Sequence, residues 1–497
     1  LRREDGVNRG ERRVMKSGLK ISFSNIKNSF KSNKFKYGGY ATLITAIVIA
    51  IVIVINLVVD QIDWKADLTQ NQMFSLSDQT YKVLDSLKQD INIIGLYETG
   101  NEDRIITEII DRYQARSKRI TFKTIDPERY PQLVSKYEKD GTSLVKGSLI
   151  VESGDRYKII SRYDLVNYSY TSNYQAQAQS LAVEQRLTGA ILYVTAEDLP
   201  VVYLLEGHGE NTIPYELSKQ LEVENFQTES LNLLTQEAVP EDAHSLVVFA
   251  PERDLTKDEE EKIRNYLENQ GRAIFIMKFQ NQELPNFESL LKSYGITVER
   301  SLVVEGDNSM HAGNPLYLVP QMESHSIVSP LRSEKMYMLI PGAQSIRILD
   351  MKKRSLKIEP LLVTSENSWA KVNMEATTLE KEEGDIEGPI NIAVAITDEI
   401  YKDNETKETK LVVISNADFL GSSLASQVPG NTNFFMNSLN WLQDREENIS
   451  IRPKSLTVPR LNINASQQLI LAGVVVILIP LAILASGLFV WLRRRHL

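Results

Sequence analysis

Two long apolar runs bracket a polar interior. The first covers about residues 40–59 (YATLITAIVIAIVIVINLVV) and the second about 469–492 (LILAGVVVILIPLAILASGLFVWL). Neither contains Asp, Glu, Lys or Arg. Each is long enough for a helix to cross about 30 Å of hydrocarbon, and neither has the polar face that a core helix of this length keeps. Both are expected as transmembrane helices. The first is too long for the apolar region of a signal peptide. Asp60, Asp63, Trp64 and Lys65 follow it instead of small residues, so no cleavage is expected. Pro480 is expected to kink the second helix. Trp64 and Trp491 fall where interfacial aromatics sit.

Between these runs the hydrophobic period switches back and forth. Ser77 is a candidate N-cap for a helix over about 78–87, with Tyr81, Leu84 and Leu87 on one face. Ile91–Tyr97 reads as a strand. Ile105, Ile106, Ile109, Ile110 and Tyr113 have helical spacing. Residues 119–125 read as a strand stopped by Asp126-Pro127, 132–139 as a short helix, and 148–152 with 156–161 as a hairpin around Ser153-Gly154-Asp155. This β-α-β-α-β-β order suggests a thioredoxin-like layout in shape only. Residues 168–180 (YSYTSNYQAQAQS) read as a polar linker. A helix over 181–194 then opens a second region, with strands at 200–205, 245–250, 272–277, 391–396 and 410–414 and helices at 212–222, 257–269 and 434–442. Residues 285–350 read as a continuation with shorter strands. This spacing indicates a parallel, doubly wound sheet of the flavodoxin or amidotransferase kind. The expected fold is an α/β ectodomain between two transmembrane helices: a basic arm 1–39, helix 40–59, a thioredoxin-like domain 60–167, the linker 168–180, a doubly wound domain 181–460, helix 469–492 and a basic tail 493–497.

Charge gives the layout a direction. Lys31, Lys34 and Lys36 precede the first apolar run, and Arg493, Arg494 and Arg495 follow the second. The positive-inside rule puts both termini in the cytoplasm and about residues 65–460 outside. The net charge of −9 hides an asymmetry. Residues 1–40 hold eleven Lys/Arg against Glu4, Asp5 and Glu11, so the interior is strongly acidic. That excludes nucleic acid as the expected ligand, and the arm reads as a topology signal or a contact to anionic membrane lipids. Met15 is an alternative start. The absence of cysteine removes disulfides, thiolate metal sites and thiol nucleophiles, and about 400 residues can bury an adequate core without them.

Two constellations carry candidate chemistry. Glu206-Gly207-His208-Gly209-Glu210 follows the strand PVVYLL at the carboxyl end of a strand, where open α/β sheets bind ligands. His208 with Glu206 or Glu210 has the composition of a metal site or an acid/base pair, and equally that of a strand-to-helix turn shaped by its glycines. The second runs from Ser415-Asn416-Ala417-Asp418 to Gly430-Asn431-Thr432-Asn433, ahead of an aromatic helix. Asp418, Asn431 and Asn433 are suited to a hard cation or sugar hydroxyls, or to capping and packing. No GxxxxGK[ST], GxSxG, GxGxxG or HExxH occurs, so neither an ATP site, a resident metal nor a cofactor is expected. The expected ligand residues are Glu206, Gly207, His208, Gly209, Glu210, Asp418, Asn431 and Asn433, with none catalytic.

These residues also fit a larger pattern. Asp67-Leu68-Thr69, Phe74-Ser75-Leu76-Ser77, Asp126-Pro127 and Glu184 with Leu187-Thr188-Gly189-Ala190-Ile191 stand in order. Gly207-His208-Gly209-Glu210, Asp418-Phe419, Gly430-Asn431, Phe434-Phe435 and Asn440-Trp441-Leu442 follow them. Over about residues 40–492 the chain resembles the GldG-like family, auxiliary extracytoplasmic subunits of gliding-motility-type ABC transporters. The resemblance implies a partner permease and a separate cytoplasmic ATPase. It leads to a non-catalytic, membrane-anchored accessory subunit that meets a cell-envelope polymer or a small-molecule ligand outside the cytoplasm. A cell-envelope hydrolase using His208, Glu206 and Glu210, and a structural scaffold, are the alternatives.

Overall fold

The computed structural model describes residues 33–61, 67, 69, 72–98, 100–138, 144–170, 175–280, 282–402, 405–445, 451–456 and 473–495. Most of the basic arm, Trp64, Leu68 of the juxtamembrane motif and residues 469–472 of the second apolar run lie outside the described residues. The chain divides into two compact units, Leu1–Leu68 and Thr69–Leu497. In the first, helix α1 (Asn33–Gln61) carries the apolar run. At 29 residues it is about 43 Å long, more than a bilayer core requires. Its side chains from Tyr40 to Leu57 are exposed throughout.

The second unit begins with the expected alternation. Helix α2 (Asp78–Ser86) is capped by the Ser77 hydroxyl, which accepts the Thr80 N–H. Strand β1 (Ile91–Leu96) leads to α3 (Arg104–Arg116), where Asp103 accepts the Ile105 and Ile106 amides. Strand β2 (Ile120–Ile125), the short helix α4 (Pro131–Ser135) and the hairpin β3 (Leu149–Ser153) and β4 (Arg156–Ile160) follow. The sheet order is β2-β1-β3-β4, with β1 and β2 parallel and the other pairs antiparallel.

Two expectations are corrected here. Residues 168–180 are not simply a linker: β5 (Val166–Tyr170) and β6 (Ala176–Leu181) pair antiparallel across them. Helix α5 (Val183–Thr195) does not open the second domain. Its Leu187, Ala190, Ile191 and Val194 share one core with Ile91, Ile93, Ile110, Tyr113 and Leu149. The break between the two α/β regions therefore falls after α5.

Beyond it come β7 (Val201–Leu205), α6 (Tyr215–Val223), β8 (Gln227–Leu231), β9 (Ala243–Phe249), α7 (Lys257–Glu268) and β10 (Arg272–Ile276). Helix α8 (Pro285–Ser293) and β11 (Ile296–Glu299) precede an excursion of short strands. The chain returns through β12 (Ser345–Ile348), β13 (Leu356–Val363), β14 (Asn391–Lys402) and β15 (Glu405–Ile414). The sheet runs β11-β12-β14-β15-β10-β9-β7-β8, with β13 paired to β14. β8, β7, β9, β10 and β15 are parallel, whereas β14, β12 and β11 each pair antiparallel with the preceding neighbour. The sheet is thus mixed rather than wholly parallel. Its central strands carry unbroken apolar runs, Leu246–Phe249, Ala273–Ile276 and Leu411–Ile414, because both faces are covered there. Ile274, Val412 and Ile414 enter one core cluster, and Ala273, Phe275, Leu411 and Val413 the other.

Helices α9 (Ser329–Ser333), α10 (Ser422–Gln427) and α11 (Pro429–Leu442) complete this region. Within the second apolar run, Gly473–Leu478 forms π-helical turns and α12 (Ile479–Arg495) follows them. Pro480 sits at this junction, where its missing N–H interrupts the α-helical ladder.

Candidate functional site

The turn after β7 occupies the point where the sheet's winding reverses. β8 lies on one side of β7 and β9 on the other, which is where open α/β sheets form ligand crevices. Gly207 and Gly209 have φ of +120° and +77°, a backbone region that side chains avoid. This geometry turns His208 inward, to 3 % exposure. Its Nδ1 is 3.0 Å from Glu210 Oε1 and its Nε2 3.2 Å from Glu259 Oε2. Glu210 Oε2 also accepts the His208 N–H at 2.8 Å. Glu259 belongs to the capping box of α7, accepting from the Thr256 amide and hydroxyl. The His208 carbonyl accepts the amides of Glu252 and Arg253, and the Arg253 guanidinium donates to the Gly207 carbonyl.

The electrostatics follow. Burial opposes charge on His208, but the hydrogen bonds and charges of Glu210 and Glu259 outweigh it and raise the imidazole above its ordinary value. Burial works against both carboxylates as well, yet His208 and nearby amide and hydroxyl donors hold them low. The imidazole, which when protonated is an imidazolium between two carboxylates, ties the β7 turn to the start of α7. With both ring nitrogens engaged, His208 is placed as a clamp rather than as a free base. Glu206, Gly207 and Gly209 remain exposed around it. Among the described residues no group of three or more His, Asp or Glu side chains is arranged to hold a metal ion.

The second constellation lies at the same sheet edge, beyond β9 and β10, three strand steps or about 14 Å away. Its asparagines bind backbone. Fully buried Asn431 donates to the carbonyls of Leu339 and Phe419 and accepts the Leu339 N–H at 3.0 Å. Asn416 donates to Pro341 and Gly342 and accepts the Asp418 N–H. Asn437 donates to Ile327. These amides fasten the 301–345 excursion to the loop after β15 and to α11. Asn433 is half-buried beside Met336, and the Asp418 side chain is exposed. The two constellations are not brought together.

A third cluster went unsingled as chemistry in the sequence. Glu184, 3 % exposed at the start of α5, accepts the Ser77 N–H at 2.6 Å and the Thr80 hydroxyl at 2.7 Å. Its other oxygen is 2.9 Å from Lys454 Nζ. Lys454 also reaches the Ser75 carbonyl, and Lys454–Ser455 pairs with β6 as a short strand. Thr188 and the buried Tyr113 hydroxyl close the network at 2.6 Å. Segments 75–80 and 454–455, which border the two apolar runs in sequence, therefore meet at one carboxylate. The signal was present: Glu184, Thr188 and Ile191 fall at i, i+4 and i+7, which puts a charge on the buried stripe of the helix.

Comparison with known proteins matches two stretches of the chain. Residues 199–443 match the family described as an ABC-type uncharacterized transport system, an auxiliary component. Residues 70–163 match a domain of unknown function, DUF7088. No curated protein matches. Among solved structures, the "mmIFT52 N-terminal domain" is 16 % identical over 49 % of this chain and 96 % of its own, with a TM-score of 0.36. PurLQS from Thermotoga maritima is 9 % identical over 49 % of this chain and 100 % of its own, at 0.25. The exo-beta-1,4-mannosidase Op5Man5 from Opitutaceae bacterium strain TAV5 is 8 % identical over 75 % of this chain and 55 % of its own, at 0.25. The family match supports an accessory component of an ABC transport system, and two apolar helices fit a two-pass membrane protein.

Proposed function

We propose that this chain is a non-catalytic, membrane-anchored accessory subunit of an ABC transport system of the GldG-like kind. Its α/β domains lie outside the cytoplasm, and both termini lie inside. The observation that carries the reading is the transport-family match over the whole doubly wound region, set between two apolar helices. The parallel strands in the order β8-β7-β9-β10-β15 support a flavodoxin-like reading, and β2-β1-β3-β4 a thioredoxin-like one. The engagement of both His208 nitrogens supports a non-catalytic role over the hydrolase alternative. What the switch-point turn leaves for a ligand is Glu206, one oxygen of which accepts the Ser230 hydroxyl, and the exposed backbone at Gly209, with Asp418 further along the edge.

The partners of this reading are an ABC permease and a cytoplasmic ATPase, with coupling through the membrane helices. Gly473 and Gly487 face open space, and small residues let helices approach closely in lipid. The test is co-purification from mild detergent. Permease and ATPase recovered with the wild-type chain, and lost from a Gly473→Leu/Gly487→Leu variant expressed at the same level, are expected. Failure of the wild-type chain to recover either partner sinks the proposal. Undiminished recovery by the variant moves the contact to α1 or the ectodomain.

A further inference from the structure

A cleft of about 700 Å³ opens where β4 and α5 of the smaller region meet the end of α6 and the start of β8. Junctions between folded regions are common places for ligand sites. Arg156 and Lys158 line the cleft from β4, Tyr193 from α5 and Phe226 from the turn before β8. The strand period of two puts Arg156 and Lys158 on one face of β4. Both lie against the Tyr193 ring, 5.2 and 5.0 Å from its centroid, so the ring holds them in place. Tyr137 and Tyr157, packed edge to face at 5.1 Å, belong to the same lining.

The protein gives these two cations only neutral partners. Arg156 donates to the Ala196 carbonyl. Lys158 donates to the Glu222 carbonyl at 3.2 Å and to the Asn225 side-chain oxygen. Asn225 is itself fixed by its amide on the Gly189 carbonyl. Among the described residues neither Arg156 nor Lys158 makes an ion pair. A third cation, Arg186, stands 3.9 Å from Asp164, a carboxylate it shares with Lys219. Burial pushes the Lys158 ammonium down to about 8; the charge of Glu222 opposes this and that of Arg186 adds to it. Sheltered charges in proteins are ordinarily paired. In a chain of net charge −9, a cleft with two unpaired, immobilised cations lacks an anion.

We propose that this cleft binds a ring-bearing carboxylate, with its anionic head on Lys158 and Arg156 and its ring among Tyr137, Tyr157 and Phe226. The head accepts charge-assisted hydrogen bonds from the ammonium and the guanidinium and supplies the counter-ion that both lack. A cationic ligand would be repelled by Arg156, Lys158 and Arg186 together. A neutral one would leave the two charges as they are, and an anion without a ring would leave the aromatic wall in water. The site goes beyond the transport reading, which rests on the family match over residues 199–443 and is tested by co-purification, so either can fail alone.

The experiment is calorimetric titration of the full-length chain in detergent with benzoate, with its uncharged isostere benzamide, and with acetate, which keeps the charge and lacks the ring. Benzoate is expected to bind in the millimolar range, and the other two at least about fivefold more weakly. Lys158→Met is expected to weaken benzoate by about tenfold or more. Proton linkage separates a ligand contact from a structural lysine and needs no variant. A bound carboxylate raises the Lys158 ammonium, so affinity is full below the free value of about 8 and falls as pH rises past it. Benzoate should therefore draw in about half a proton at about pH 8 and almost none at about pH 6.5, read by comparing Tris and HEPES buffers. Arg156, Asp155 and Tyr157 on β4 and its turn, Arg186 and Tyr193 on α5, Glu222 on α6 and Tyr137 surround Lys158, with no histidine among them, so the uptake reports this lysine. Absence of benzoate binding up to about 20 mM overturns the proposal. So does equal binding by benzamide or acetate, undiminished binding by folded Lys158→Met, or binding at about pH 8 without proton uptake.

Discussion

His208 shows how a residue with the chemistry of a catalyst is turned into a fastener. Its ring is enclosed by Glu210 and Glu259 and packs edge-on against Phe287, 6.2 Å between centroids. Because the folded imidazole titrates above its unfolded value of about 6.5, its stabilisation is complete below that value and is lost as pH rises through the folded one. Glu210 and Glu259 titrate below their unfolded values, so their share is present at neutral pH and is lost as pH falls through their folded ones. The clamp is strongest between these limits. His208→Gln keeps two hydrogen-bonding atoms but no charge. It is expected to cost about 3 kcal/mol at pH 6, since removing one partner strands a buried charge. The cost should shrink as pH rises past the imidazole's folded value. Thermal melts of both proteins from pH 5 to 9 check this, and a difference that stays constant with pH would refute the imidazolium clamp.

At the scale of elements, the start of α2 and the two-residue strand Lys454–Ser455 are both held by α5. Lys454 brings a two-residue strand to β6 and neutralises Glu184, which also receives Ser77 and Thr80. Lys454→Met is expected to destabilise by about 3 kcal/mol through the uncompensated Glu184 charge, and adding Glu184→Gln should recover part of that. Hydrogen exchange of the 451–456 amides, faster in Lys454→Met and slower again in the double variant, is the readout. Additive effects would mean that the two side chains do not act on each other. The same helix marks where the sequence stopped being legible. Strands β9, β10 and β15 were readable because their apolar runs face cores on both sides. The contents of α5 were readable too, but nothing in Leu187 or Ala190 says which of two sheets it covers. In residues 168–180, Tyr168 and Tyr170, then Ala176 and Ala178, alternate with Ser and Gln at the strand period of two. The side chains are too polar or small for that period to register as hydropathy. The turn at 206–210 was located at the right sheet edge, but Glu259, which decides what His208 does, lies 51 residues away. The Asn431 contacts to Leu339 reach 92 residues back.

For the whole molecule, the question is which side of the membrane the α/β regions face. In the proposed two-pass arrangement both termini share one side, and the basic residues at each outer flank favour the cytoplasm. The opposite arrangement would draw Arg493–Arg495 and the N-terminal lysines across the bilayer and leave the acidic interior in the cytoplasm. The absence of cysteine allows a clean test. Asp155, exposed on the β3–β4 turn, and Arg495, exposed at the end of α12, each accept a cysteine without disturbing a core. An impermeant maleimide should label Asp155→Cys in intact cells and Arg495→Cys only after lysis. The smaller region is joined to the doubly wound one by Asn225, which donates to the Gly189 carbonyl at 2.8 Å, and by Lys219, 2.9 Å from Asp164. One reporter in the smaller region therefore speaks for both. Labelling of position 495 but not 155 in intact cells would invert the topology and remove the extracytoplasmic role with it.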